Sequence, residues 1–155
     1  MSVRTVHVNP SSELMTEANV LRTNVFVVEQ GVDPAIEADG RDGSATHAVM
    51  TEHGEVVATG RMIPTGELGK VQRVAVARSQ RRTGAGKEIM EALEGHGRQL
   101  GLQAIQLSSQ LTAVPFYLAL GYVATGPEYV EAGIVHQQMT KELTIRGKED
   151  VFSGK

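Results

Sequence analysis

The sequence contains no cysteine. This absence excludes thiol nucleophiles, cysteine-based metal sites and redox motifs, and it fits a reducing compartment. The histidines do not offer a metal site instead, because no two of them are spaced as an H-x-x-x-H pair. They are His7, His47, His53, His96 and His136. We therefore expect no metal cofactor.

A basic excess and a long apolar run are also lacking. The chain has 15 Lys and Arg residues against 18 Asp and Glu residues, for a formal net charge of -3. Basic residues cluster only within 78–82 and at Lys87, so a broad nucleic-acid-binding surface is not expected. The first ten residues, MSVRTVHVNP, lack a basic stretch followed by an apolar segment. We expect no signal peptide, no membrane span and a cytoplasmic protein.

The pattern along the chain predicts a single α/β domain over residues 1–143, followed by a polar tail over 144–155. Two short glycine-containing connectors, EHGE and PTGE, predict that three consecutive strands form an antiparallel meander. The acidic, turn-rich composition of the stretch 31–44 predicts a surface loop or a broken helix. Strands are predicted at 5–8, 47–51, 55–63, 69–77, 102–109, 122–124 and 136–142, and helices from Ser11 or Ser12 to about Gly31, at 88–100 and at 113–120. The sheet is expected to be mixed, antiparallel early and parallel around the helix near residue 88.

The ten residues at 81–90, RRTGAGKEIM, contain the string GAGK and invite comparison with a nucleotide-binding loop. The Walker A loop requires G-x-x-x-x-G-K-[ST]. Here Arg81 stands at the first glycine position and Glu88 at the hydroxyl position. A carboxylate at that position would repel phosphates, so an ATP site of this kind is excluded.

The same turn precedes a predicted helix and could bind phosphate groups in a different way. Backbone N–H groups at a helix N-terminus are unpaired and can hold a diphosphate, with help from the helix dipole. Gly84 and Gly86 would allow close approach, and Arg81, Arg82 and Lys87 supply positive charge. The alternative is a solvated basic turn in which the glycines only provide the bend.

Two motifs in order resemble the GNAT superfamily of acyl-CoA-dependent N-acyltransferases. The strand ending in VAV followed by R-R-x-G-x-G resembles motif A, and LTAVPFYLALGYVATG resembles motif B. The matched residues are Arg81, Gly84 and Gly86 in motif A, and Ala113, Phe116, Tyr117, Gly121 and Tyr122 in motif B. The two motifs in this order identify the family more specifically than either motif does alone.

Further stretches resemble one branch of small bacterial GNAT proteins of unassigned substrate. They are VFVVEQGV at 25–32, followed by Asp39, Asp42 and His47, and GIVHQQM at 133–139. The resemblance spans roughly residues 21–143. It implies the GNAT fold, with a mixed central sheet flanked by helices, and a possible homodimer.

The resemblance implies acetyl-CoA as cosubstrate. The backbone of Val74, Ala75 and Val76 would pair with the pantetheine arm as an extra strand. The amides from Arg81 to Lys87 would hold the pyrophosphate, and the Val76 N–H would hold the oxyanion during direct attack by an amine. The full implied set of cofactor-binding residues is Val74, Ala75, Val76, Arg81, Arg82, Thr83, Gly84, Ala85, Gly86, Lys87, Gln110 and Phe116.

The resemblance also implies that Tyr117 donates a proton to the departing thiolate. The alternative for Tyr117 is a core aromatic beside Phe116. Many relatives carry a glutamate where this chain has Gln72, which cannot take a proton. The base is therefore sought among Glu29, His47, His136 and a water chain, although each of these residues could equally be a structural hydrogen-bonding group.

The sequence also contains an acidic cluster outside these motifs, and its function has two interpretations. Its carboxylates are either a solvated loop or a feature that draws a cationic amine to the acceptor site. They are Asp33, Glu37, Asp39 and Asp42.

The function predicted from all this is acetyl transfer from acetyl-CoA to a primary amine of a small molecule, with no nucleic-acid or membrane partner. The alternatives are a different acyl-CoA, a phosphorylated amino-sugar acceptor, or a non-catalytic acyl-CoA-binding module.

Overall fold

Seven strands form one sheet in the computed structural model, which describes residues 3–143. The strands are β1 Arg4–Val8, β2 Thr46–Glu52, β3 Glu55–Thr65, β4 Leu68–Val76, β5 Ala104–Gln110, β6 Val123–Glu131 and β7 Ile134–Glu142. The α-helices are α1 Ser12–Arg22, α2 Pro34–Glu37, α3 Ala85–Gln99 and α4 Val114–Ala119, and a π-helix over Thr23–Glu29 continues α1. The predicted polar tail at 144–155 lies outside the described residues.

The sheet has the strand order β1-β2-β3-β4-β5-β7-β6. Strands β4 and β5 run parallel, while every other neighbouring pair is antiparallel. The predicted mixed sheet and the predicted meander of β2, β3 and β4 are therefore confirmed. The two halves of the sheet meet at the β4–β5 pair.

That central pair is joined over only part of its length. Leu68–Val71 pair with Ala104–Leu107, and no pairing between the two strands continues beyond these residues. A bulge lies just past this point, because Arg61 faces Gln72 whereas Thr59 faces Ala75. The extra residue, Arg73, takes a left-handed backbone with φ of 58°. The ends of β4 and β5 thus leave an opening in the sheet.

Helix α3 packs against the sheet through fully buried Ile89, Met90 and Leu93. At Gly97 the helix packs so closely that there is little room for a side chain. A Cβ on Gly97 would lie 3.1 Å from Leu143 Cδ1, tighter than most real contacts. This packing positions the N-terminus of α3 beside the opening between β4 and β5.

Two elements differ from the prediction. The first helix does not run as an α-helix to Gly31, since Thr23–Glu29 form a π-helix. Strand β6 is much longer than predicted and runs through Pro127 to Glu131. A proline is tolerated there because β6 is an edge strand and its register shifts between Thr125 and Tyr129.

The helices of the described part of the chain are all too short or too polar to cross a bilayer.

Candidate active site

A cleft of about 1140 Å³ occupies the opening between β4 and β5. It brings together the two motif stretches, which are separated in sequence by most of α3 and by β5. The predicted site residues that line it are Val74, Ala75, Val76, Arg81, Arg82, Gly84, Gly86, Lys87, Gln110, Phe116, Tyr117 and His136. Four predicted residues are not among its lining residues: Glu29, His47, Thr83 and Ala85.

The edge of β4 offers backbone groups to this cleft. The Ala77 N–H donates to Val57 O of β3 at 2.8 Å. Successive strand residues direct their N–H groups to opposite sides, so the Val76 and Val74 N–H groups face away from β3. No strand pairs with this segment on that side within residues 3–143. An extended ligand could add to β4 here as a further strand.

The N-terminus of α3 forms the next part of the cleft wall. Gly84 precedes the helix with φ of 89° and has no side chain to cap it, so the first amides of α3 stay available to a ligand. The preceding turn is anchored by Arg4, which donates to Thr83 O at 3.0 Å and pairs with Glu88 at 3.1 Å. Anions are stabilised at such a terminus.

Three cations of the basic turn have different surroundings. Arg81 donates through Nε to Val76 O at 3.0 Å and pairs with Glu29 at 2.9 Å. Arg82 and Lys87 line the cleft and form no ion pair within the described residues. They are therefore the cations best placed to meet phosphates, while Arg81 holds the turn against the end of β4.

Glu29 takes part in the same arrangement, because its carboxylate pairs with Arg81. The hydrogen bond from Arg81 is the main reason that the pKa of Glu29 lies below its ordinary value. A carboxylate held in its ionised form by a guanidinium is a weak proton acceptor. Together with its place outside the cleft lining, this makes Glu29 a poor candidate for the base.

Gly84 and Gly86 are constrained for different reasons. Gly84 adopts a left-handed backbone that favours glycine, with no atom near its missing side chain. A Cβ on Gly86 would lie 3.2 Å from Phe116 Cζ. A side chain at Gly86 would therefore press on the Phe116 ring and displace it slightly, in addition to any effect on ligand approach.

Tyr117 is buried and lines the cleft. Its ring makes edge contacts with Phe116 at 4.9 Å and Tyr122 at 5.7 Å between centroids. Its hydroxyl makes no hydrogen bond to any other residue in 3–143, whereas the Tyr122 hydroxyl donates to Glu94 at 2.7 Å. Burial raises the pKa of Tyr117 to about 12. Tyr117 is therefore protonated, and its hydroxyl has no hydrogen-bond partner within the described residues.

His136 is the histidine that lines the cleft. Its Nδ1 lies 2.7 Å from Ile134 O, and a carbonyl can only accept, so Nδ1 carries the proton. This leaves Nε2 as an acceptor, 3.8 Å from a carboxylate oxygen of Glu131. Tyr129 stacks on the ring at 6.1 Å between centroids. In this form His136 can accept a proton through Nε2.

His47 has a structural environment. It is buried, its Nε2 lies 2.9 Å from Asp42 O, and it does not line the cleft. This contact fixes the start of β2 to the 3-10 turn at Asp42–Ser44. The geometry supports the structural alternative for His47.

The acidic stretch lies mostly at the surface, but its four carboxylates have defined partners. Asp33 caps α2 by accepting from the Ala35 N–H at 2.8 Å. The other three carboxylates pair with three arginines at 2.6 to 3.4 Å, and we call this set the arginine–carboxylate network. It consists of Arg22, Arg61, Arg73, Glu37, Asp39 and Asp42. Because arginines neutralise three of the four carboxylates, the geometry argues against the interpretation in which the cluster draws a cationic amine.

The network holds its carboxylates ionised. Hydrogen bonds from Arg61 lower the pKa of Asp39 from 3.8 to about 2. Burial works against ionisation of Asp42, but hydrogen bonds from Arg22 and Arg61 still lower its pKa. The stretch 37–42 is thereby fixed along one side of the cleft.

An unpaired strand edge beside a basic helix N-terminus is what an acyl-CoA site would require. The family model described as "Acetyltransferase (GNAT) domain" matches residues 12–143. The chain belongs to the GNAT acetyltransferase family. As a GNAT protein it is an acyl-CoA-dependent N-acyltransferase.

Relatives and solved structures agree with this assignment. The uncharacterized N-acetyltransferase YjcF of Bacillus subtilis is 36% identical over 133 residues, which cover 85% of this chain and 95% of YjcF. An acyl-CoA N-acyltransferase from Pseudomonas aeruginosa superposes with a TM-score of 0.77 at 28% identity, covering 90% of this chain and 99% of that one. Escherichia coli ElaA gives 0.79 at 25% identity, covering 92% and 100%.

Several residues of this GNAT site were not foreseen from the sequence. Arg61 is almost fully buried inside a strand of small and apolar residues, and a charge in such a strand signals a buried partner. Gln110 was predicted as a cofactor-binding residue, but its hydrogen bond to Gln30 at 2.6 Å across the cleft is a contact that no local pattern indicates. Lys70, Tyr129 and Glu131 also line the cleft. Among residues 3–143 no cluster of side chains could hold a metal ion.

Proposed function

We propose that this GNAT enzyme transfers an acetyl group from acetyl-CoA to the primary amine of a small molecule, by direct attack in a ternary complex. The observation that supports it best is the convergence on one cleft of an unpaired β4 edge, a helix N-terminus and the Tyr117 hydroxyl. These are a strand-addition site, an anion site and a proton donor.

The residues present fit acetyl-CoA. The Val74 and Val76 backbones would pair with the pantetheine arm, as an edge strand pairs with an extended peptide. The first amides of α3, with Arg82 and Lys87, would bind the pyrophosphate. The cosubstrate supplies an acyl thioester, and the remaining steps belong to the chain's own groups.

The proposed reaction transfers two protons. The amine nitrogen bonds to the thioester carbon, the carbon–sulfur bond breaks, and an amide and free CoA result. His136 Nε2 takes the proton that the ammonium loses before it attacks, and the Val76 N–H stabilises the oxyanion. Tyr117 gives its proton to the departing thiolate, and the second proton, which the nitrogen loses as the amide forms, restores Tyr117 through water. A primary amine with a pKa of about 10 costs about 4 kcal/mol to deprotonate at pH 7, and a base reduces this cost.

Gln72 supports one competing function, a non-catalytic acyl-CoA-binding module, because glutamine cannot act as a base. His136 offers another base within the same cleft, and this favours catalysis. A longer acyl group in place of acetyl would change only the ligand at the thioester end.

Calorimetry and a transfer assay test the proposal. Acetyl-CoA is expected to bind and ATP is not, and thiol release in the presence of a panel of primary amines is expected to match N-acetyl product detected by mass. Replacing both Arg82 and Lys87 by Gln should weaken acetyl-CoA binding about tenfold or more, since each makes a charge-assisted contact. Arg78→Gln, in the same turn but outside the cleft lining, is the control. Binding without transfer would favour the non-catalytic module.

A further inference from the structure

We propose that the acceptor carries an anionic group, a carboxylate or a phosphate, in addition to its amine, and that Lys70 binds this group. The inference rests on the proposed function and specifies the acceptor class. It starts from the charges that line the cleft.

Lys70 is a half-buried cation without a partner. It lies on β4 next to Gln106 of β5, in the last stretch where the two strands still pair. Its ammonium forms no hydrogen bond or ion pair within residues 3–143. A lysine in such a position loses hydration without gaining a counter-ion, so an anion in the cleft would be stabilised there.

The neighbouring charges do not compensate Lys70. The arginine–carboxylate network has three cations and three anions, and its carboxylates are all bound to its own guanidinium groups. Arg41, at the exposed rim of the cleft, adds a second cation that has no ion pair in the described chain. This side of the cleft therefore carries an excess of positive charge.

The groups around Lys70 are suited to hydrogen bonding with an anion. Gln72 is two residues along β4 and so lies on the same face as Lys70. Arg61 donates to Gln72 Oε1 at 2.8 Å, which leaves the Gln72 amide nitrogen as a donor. Gln106 and Gln138 also line the cleft. Neutral donors beside a cation form a better site for an anion than for an ammonium group.

The opposite side of the cleft has the opposite character. Glu131 and His136 lie on β6 and β7, where a carboxylate attracts an ammonium and an imidazole can deprotonate it. His136 faces Gln110, four residues beyond Gln106 on β5. Strand geometry therefore puts the Lys70 and His136 Cα atoms about 16 Å apart, and their side chains shorten the gap. A short molecule with an amine at one end and an anion at the other matches this arrangement.

Matched acceptors test the charge requirement. The carboxylate series is β-alanine, 4-aminobutanoate and 6-aminohexanoate, each compared with its neutral amide. The phosphate arm is O-phosphoethanolamine compared with ethanolamine. For each compound, binding to the CoA-saturated protein is measured by calorimetry, and acetyl transfer by thiol release. At least one anionic compound should bind about tenfold more tightly than its neutral partner, as expected for one charge-assisted contact.

Variants of Lys70 assign the preference to this residue. In Lys70→Gln the preference for the anionic compound should fall to about threefold or less, while Lys70→Arg should keep most of it and acetyl-CoA binding should be unchanged in both. If no anionic compound binds more tightly than its neutral partner, or if Lys70→Gln keeps the preference, the proposal is overturned. Transfer to neutral and anionic amines alike would overturn it while leaving the proposed function intact. Anion-selective binding without transfer would instead support the Lys70 site and contradict the proposed function.

Discussion

The buried guanidinium of Arg61, on β3, donates a hydrogen bond to Oε1 of Gln72 at 2.8 Å. The guanidinium also pairs with Asp39 at 2.6 Å and with Asp42 at 2.8 Å, so it is held on several sides. The contact explains how this chain uses the position at which many GNAT proteins carry a glutamate. A glutamine here is fixed as a donor, and a glutamate would lie directly against a buried positive charge.

Gln72→Glu is accordingly expected not to create a general base. Arg61 would hold the new carboxyl ionised, with its pKa below the ordinary range, so it would accept protons poorly at neutral pH. With a neutral primary amine such as ethanolamine as acceptor, we expect kcat at pH 7 to change by less than about threefold, and the pH profile over pH 6 to 9 to keep its shape. Gln72→Leu is the control for the lost contact and should lower the free energy of unfolding by about 1 kcal/mol. A tenfold rise in kcat for Gln72→Glu would contradict this view of Arg61.

Tyr117→Phe tests the proton donor. The hydroxyl makes no hydrogen bond within the described residues, so its removal should leave the free energy of unfolding within about 0.5 kcal/mol of the original. The rate of thiol release at saturating acetyl-CoA should fall about tenfold to a hundredfold, because the thiolate loses its donor. An unchanged rate would rule out the acid role.

Tyr122→Phe is the matched control on the same motif. The Tyr122 hydroxyl donates to buried Glu94 at 2.7 Å, and Glu94 also accepts from Lys141 at 3.0 Å. Losing this bond should cost about 2 kcal/mol of stability in urea denaturation, with little change in kcat. The two tyrosines are therefore expected to separate catalysis from folding, and a loss of stability in both variants would contradict this division.

His136→Asn tests the base. The asparagine amide can still donate to Ile134 O, but it offers no acceptor of comparable basicity. The deficit in kcat/KM should be about tenfold or more at pH 7 and smaller at pH 9, because more of the amine is then already neutral. His47→Gln should leave the pH profile unchanged, since His47 does not line the cleft. A deficit of equal size at both pH values would indicate that His136 only supports the local structure.

Much of the site could be predicted because its groups are encoded locally. The VAV strand end and the glycines of RRTGAGK are neighbours in sequence, and strand–turn–helix physics alone places a helix N-terminus beside a strand edge. The order of elements similarly followed from short connectors and hydrophobic spacing. The family resemblance then joined this turn to Tyr117, which the structure places in the same cleft.

The remainder depends on contacts between distant residues. Arg61 and Asp39 are 22 positions apart, and nothing in the pattern of the stretch 31–44 pairs its carboxylates with β3. Which histidine lines the cleft depends on the strand order, which brings β7 beside β5, and no local pattern gives that order. The π-helix at Thr23–Glu29 was not predicted, because the hydrophobic spacing used to predict helices assumes 3.6 residues per turn.

The network around Arg61 also predicts how stability depends on pH. Asp39 has a pKa of about 2 in the folded chain against an ordinary value of 3.8, chiefly through its hydrogen bonds with Arg61. A carboxyl with a depressed folded-state pKa stabilises the fold above pH 3.8, and this contribution is lost as the pH falls toward 2. Urea denaturation should therefore show stability decreasing between about pH 4 and pH 2, more weakly in Asp39→Asn. Asp33→Asn, which alters only the exposed cap of α2, should retain the full decrease. An identical pH dependence in Asp39→Asn and the original chain would show that the Arg61–Asp39 pair does not contribute to it.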